Sequence, residues 1–130
     1  MMHRNKKRCR IANSSGASLF ISVHHNRSES NRAKGYDVIY EVDKPETKRF
    51  AEIIGEEFGR LGQEKHRIFC KPSTKYKGRD WFGILQSKVP TLITEFCFLD
   101  ASEMDEINTL NEQWAEAGAL YMGIRRIIEN

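Results

Sequence analysis

The sequence predicts a single α/β domain over residues 1–130, built on a mixed, mostly parallel sheet with helices on both faces. Three observations carry that expectation. Segments with helical spacing alternate with short β-rich segments in the order helix, strand, strand, helix, strand, strand, helix. Two of the strands, over residues 19–25 and 91–98, are apolar on both faces, as in a sheet covered on both sides. Finally, 39% hydrophobic and 30% charged residues in a chain of 130 is the balance of one domain able to bury a core.

The first ten residues carry Arg4, Lys6, Lys7, Arg8 and Arg10, which reads either as the solvated face of a helix running toward Asn13 or as an anion-binding arm. Gly16, after Ser14 and Ser15, supplies the C-cap. The strand Leu19 to His25 follows and is expected at the centre of the sheet. Residues 26–34 form a polar loop, and Gly35 opens a second strand from Tyr36 to Val42, rich in Tyr, Val and Ile. That loop is shorter than the dozen or more residues a parallel crossover needs, so these two strands are expected to be antiparallel neighbours.

Asp43-Lys44-Pro45-Glu46 starts a helix, with proline pre-set for the first turn and Glu46 at the positive end of the dipole. Phe50, Ile53, Ile54, Phe58 and Leu61 then recur at helical spacing until Gly62. A short strand from His66 to Cys70, a polar loop from Lys71 to Arg79 and a short helix capped by Asp80 lead to Thr91–Phe98, the clearest strand in the chain. Ser102-Glu103-Met104-Asp105 offers an N-cap with acids in the first turn of a last helix. Its stripe of Leu110, Trp114, Ala117, Tyr121, Ile124 and Ile128 is expected to face the sheet.

The formal net charge of +3 favours an anionic partner only mildly and does not itself predict nucleic-acid binding. Cys9, Cys70 and Cys97 are an odd number without paired spacing, which excludes a readable disulfide framework or zinc knuckle and points to reduced thiols. No run approaches the roughly 20 apolar residues of a membrane span, and residues 1–10 lack the apolar core of a secretory signal. The expectation is therefore synthesis in the cytoplasm, with no membrane or nucleic-acid partner.

Two strands each end near a group suited to chemistry. The first delivers His24, His25 and Asn26, and neutral imidazole is the commonest protein metal ligand. The last carries a single charge, Glu95, in an otherwise apolar run. If the strands are parallel, both groups open on one rim, where open α/β sheets place their ligands. A carboxylate in such a strand either has its pKa raised toward the range of a general base or is held in an ion pair, here with Arg79 or Lys88. A nucleophilic Ser22 or Cys97 working with His24 is a rival arrangement, for which no orienting third residue is evident.

The stretch Arg8-Cys9-Arg10-Ile11-Ala12-Asn13, followed by Phe20-Ile21-Ser22-Val23-His24-His25-Asn26, resembles the R-x-x-x-A-N and F-I-S-I-H-x-N motifs of zinc-dependent N-acetylmuramoyl-L-alanine amidases. Ala33-Lys34-Gly35-Tyr36-Asp37-Val38-Ile39-Tyr40 is similar to that family's A-x-G-x-E-x-x-Y strand. Pro90-Thr91-Leu92-Ile93-Thr94-Glu95-Phe96-Cys97-Phe98-Leu99 is similar to its P-A-V-L-V-E-x-G-F-L. The resemblance covers nearly the whole chain in order.

It implies a peptidoglycan hydrolase of the phage endolysin or bacterial autolysin type, which uses zinc to cut the amide between N-acetylmuramic acid and L-alanine. Within it His24 is a zinc ligand, Glu95 the catalytic acid and base, and Asn26 a substrate-binding residue. The family's opening strand, its G-H-G-G loop with the first histidine ligand, and its glutamate ligand have no counterpart here. His25, His3, Cys97 and Glu29 are the side chains left to substitute. A catalytic zinc normally takes three protein ligands. The alternative function is accordingly a catalytically impaired remnant or split-gene fragment that binds cell wall or a partner chain. An uncovered sheet edge invites association, so the expected partners are peptidoglycan and a second copy or complementing fragment.

Overall fold

Strand β4 (Thr91–Phe98) organises the molecule, because every residue but Glu95 is buried and only a strand covered on both faces can satisfy that. The computed structural model describes residues 2–27, 33–99 and 109–129. Ahead of β4 come helix α1 (Met2–Ser14), strands β1 (Phe20–Asn26) and β2 (Tyr36–Ile39), helix α2 (Glu46–Arg60), strand β3 (Lys65–Phe69) and a 3-10 turn (Gly83–Gln86). Helix α3 (Leu110–Glu129) follows it. The sheet order is β1-β4-β2-β3. β1 runs parallel to β4 and β2 parallel to β3, while β2 and β4 are antiparallel.

The helices cover both faces, as expected. On one face α2 and α3 bury Ile54, Phe58 and Leu120 against Val38, Leu92 and Phe96. Phe58 anchors this core, meeting the edges of Tyr36 and Phe96 with ring centroids 5.5 and 4.9 Å away. On the other face α1 and the 3-10 turn form a smaller core of Cys9, Ile84 and Leu85 on Ile39 and Ile93. The basic side chains of α1 are solvated, while Cys9 and Ala12 face inward. Gly16 and Gly62 end α1 and α2 with φ of 77° and 90°, the left-handed conformation that glycine adopts without steric cost.

Three expectations are corrected. β1 is an edge strand, and β4 lies between it and β2, so the two are not neighbours. The more completely apolar strand takes the centre, and Val23 of β1 stays half exposed. Asp80 does not cap the 3-10 turn but accepts the backbone N–H of Val42 at 2.9 Å.

The third correction concerns α3. Leu110, Trp114, Tyr121 and Ile128 are exposed, and the buried face is Glu116, Ala119, Leu120, Gly123 and Ile127. Close packing on α2 selects this face. A Cβ on Gly123 would lie 2.5 Å from Ile54 Cδ1, so a larger residue there would force the end of the Ile54 side chain to move. Arg126 locks the pair, donating to Glu57 at 2.7 Å and Glu56 at 2.6 Å. The N-cap expected at residues 102–105 lies outside the described residues.

Candidate active site

Parallel pairing of β1 with β4 puts His24 directly opposite Glu95. Opposed residues of adjacent strands project to the same face. Both line a cleft of about 380 Å³ on the α1 side, with Ser22 and Ile93 beneath and Arg4, Asn5 and Arg8 of α1 above. The register then slips: Asn26 pairs with Phe98, which puts an extra residue into β4 just beyond Glu95. Such bulges re-aim side chains next to active sites. Here the slip buries Cys97 in the α2–α3 core, which removes it as a ligand or nucleophile facing His24.

Glu95 is raised to about pKa 7, first by burial and then by the negative charge of Asp37, against smaller opposing effects of Arg67 and His25. Neither Arg79 nor Lys88 acts on it. Arg79 Nε instead donates to Gln86 at 2.8 Å, and Lys88 is held through its backbone N–H by Asn13 at 2.7 Å. The ion-pair reading of Glu95 is therefore overturned. Its carboxyl group is poised to exchange a proton near neutrality.

His24 is shifted the other way. Burial lowers its pKa, and the charges of Arg8 and His25 lower it further, so the ring is kept neutral. Its Nε2 lies 2.7 Å from Ser22 Oγ. With Nε2–H donating to that oxygen, Nδ1 keeps a free lone pair, the state a metal ligand requires.

His25 takes the opposite course because side chains alternate along a strand. Its Nε2 sits 2.7 Å from Oε1 of buried Glu116 on α3, and this hydrogen bond raises its pKa. It therefore cannot share a ligand set with His24. Asn26 does not line the cleft: its Nδ2 donates to Asp37 at 3.0 Å and its Oδ1 accepts the Arg27 N–H at 2.8 Å.

Asp37 is the residue that sequence reasoning passed over. It pairs in register with Glu95, is wholly buried, and also meets His66 Nδ1 at 2.7 Å and Arg67 at 3.3 Å. The signal was present: a lone acid in a four-residue strand whose every position is buried, at the acidic position of the A-x-G-x-E-x-x-Y motif. The loop from Lys71 to Arg79 is ordered by its own backbone bonds and does not line the cleft, whereas Phe82, Gly83 and Ile84 do.

A zinc ion would find one imidazole and one carboxylate here. Among the described residues no three His, Cys, Asp or Glu side chains converge, which falls short of a catalytic zinc site. Glu29 and the His3 side chain lie outside the described residues.

A mixed four-stranded sheet, covered on both faces, thus opens a histidine and a high-pKa glutamate on one rim, an α/β domain with groups suited to proton transfer. The sequence model of N-acetylmuramoyl-L-alanine amidase matches residues 3–126, and the chain belongs to that family. Members of the family are generally zinc-dependent. The fold matches the CwlD amidase of Clostridioides difficile, solved in complex with the GerS lipoprotein, at TM-score 0.81 and 26% identity. That match covers 95% of this chain and 61% of the other. Cwp6 from Clostridium difficile matches at TM-score 0.87 and 24% identity, over 95% of this chain and 20% of that one. The catalytic domain of CwlV, an N-acetylmuramoyl-L-alanine amidase from Bacillus (Paenibacillus) polymyxa var. colistinus, matches at 0.80 and 22%, over 96% and 65%. The chain thus spans less than two thirds of the length of these structures. No curated protein matches it.

Proposed function

We propose that this chain carries the proton-transfer part of a peptidoglycan amidase centre, acting on the amide between N-acetylmuramic acid and L-alanine. The observation that supports this best is Glu95: partly buried, without an ion-pair partner among the described residues, raised to about 7 and facing a cleft with neutral His24. As carboxylate it takes a proton from the water that attacks the amide carbonyl, and as acid it returns that proton to the departing amine of alanine. Burial and, after it, the charge of Asp37 raise the proton affinity of Glu95 toward neutrality, and His66, Arg67 and Asn26 hold Asp37. His24 contributes one ligand by resemblance. The described residues do not complete a zinc site.

That shortfall favours a second reading, a fragment that binds wall or a complementing chain without hydrolysis. The exposed edge of β1 supports it, with a groove of about 470 Å³ lined by Ile11, Ala12, Leu19, Ile21 and Val23. One assay separates the two: release of new amino termini from purified peptidoglycan, with zinc supplied, by the chain and by Glu95→Gln. Release that the substitution abolishes establishes the amidase. Sedimentation with the wall without release establishes the second reading. Synthesis in the cytoplasm and action at the wall remain part of the proposal, as does an endolysin or autolysin role.

A further inference from the structure

Helix α1 supplies more to the cleft than a wall. Arg4 and Arg8 are one helical turn apart and so share a face, and both line the cleft that holds His24 and Glu95. Neither takes part in an ion pair among the described residues. Both stand on α1, across the cleft from the strands that carry His24 and Glu95. Two unpaired guanidinium groups over a cleft form a fork suited to a planar carboxylate.

We infer that Arg4 and Arg8 form a subsite for the free α-carboxylate of the D-glutamyl residue that follows L-alanine in the wall peptide. The inference rests on the amidase reading and deepens it by naming the part of the substrate recognised. D-Glutamate is joined onward through its side chain, so its α-carboxylate is left as a free anion. It sits roughly 7 Å along an extended chain from the scissile amide, two residues at about 3.5 Å each. An anchor for it must therefore lie across the cleft from the base rather than beside it, and α1 places the arginines on that side. The subsite would hold the alanyl amide against Glu95, and it would reject peptides in which the α-carboxylate is amidated to a carboxamide.

The test compares binding of two muramyl tripeptides, N-acetylmuramyl-L-Ala-γ-D-Glu-L-Lys and its α-carboxamide, to the full chain in the presence of a chelator, read by calorimetry or NMR titration. The expected result is a preference for the free acid of about tenfold or more, as for a charge-assisted contact. Arg8→Gln, and the double variant Arg4→Gln/Arg8→Gln, should bring the ratio close to one. Lys7→Gln, an exposed cation of the same helix outside the cleft, should keep the preference. Equal affinity of the unaltered chain for both peptides overturns the subsite and leaves the amidase reading standing. A preference that survives the double variant overturns the assignment to these arginines. Binding of neither peptide overturns the wall-peptide reading itself, and this inference with it.

Discussion

The rim where β1 meets β4 carries two histidine–glutamate combinations, one on each face of the sheet, and they have opposite fates. On the α3 face His25 and Glu116 lie 2.7 Å apart and satisfy each other, the imidazole favouring its protonated form. On the α1 face His24 and Glu95 are opposed in register, yet the histidine is held neutral and the glutamate holds its proton up to about pH 7. The same residue types, one position apart on β1, thus give a structural tie and a candidate reactive site. What separates them is first burial, which raises Glu95 and lowers His24, and then neighbouring charge, Asp37 beside Glu95 and Arg8 beside His24, whereas His25 is raised above all by its hydrogen bond to Glu116.

The contrast can be broken most severely at Glu95. Glu95→Gln should cut amine release from peptidoglycan by about 10²–10⁴-fold, the usual worth of a positioned general base. In the unaltered chain the rate should climb with pH and level off above about 7, as Glu95 ionises. A rate that is flat from pH 5 to 8 would exclude Glu95 as the base.

Asp37→Asn comes next. It leaves His66 and Arg67 a neutral acceptor in place of a charged one, and should cost about 1 kcal/mol by denaturant unfolding, since both cations are partly exposed. It should also move the pH–rate limb to lower pH, because the repelling charge beside Glu95 is gone. A limb that stays in place would show that burial alone sets the proton affinity of Glu95.

The effect of Glu95 on stability has a definite sign. Its folded pKa lies above the unfolded value of 4.5, so its contribution is fully present below pH 4.5 and is lost as pH rises through about 7. Glu95→Gln should therefore stabilise the chain at pH 8 relative to pH 5, by ~2 kcal/mol after discounting for the solvent that reaches the group. Melting curves of both proteins at the two pH values measure this.

The opposite face should answer in its own way. His25 has a raised folded pKa, so its contribution is complete below the ordinary histidine value of 6.5 and fades as pH rises through the raised one. Glu116→Gln should cost about 1 kcal/mol at pH 6 and less at pH 9, with amine release little affected. The smallest effect is expected for Ser22→Ala. If Ser22 only orients His24, activity should fall less than about tenfold; loss on the scale of a nucleophile would instead favour the Ser22–His24 pair.

Most of the elements were legible because their signals are local. β4 announced itself as an apolar run with one acid, and α2 by the spacing of Phe50, Ile53, Ile54 and Phe58. His24 and Glu95 were legible for the same reason, being polar groups at positions where a strand should be apolar. Asp37 carried the same signal but more faintly, in a strand of four residues. The α3 stripe misled because Leu110, Trp114 and Tyr121 are its most apolar residues, while the packed face was chosen by closeness of approach at Gly123 and Ile54.

The sequence by itself determined the α/β class, the family, the strands that reach the rim and the candidate residues there, His24 and Glu95. Those properties follow from periodicity, turn residues and motif, each contained within a few neighbouring positions. Only the tertiary structure decided that β4 rather than β1 is central, that His24 and His25 serve opposite faces, and that Asp37 rather than a cation stands beside Glu95. Those are outcomes of strand order and register, which bring together residues tens of positions apart. The proton affinity of a carboxylate depends on that company, and no local stretch of sequence encodes it.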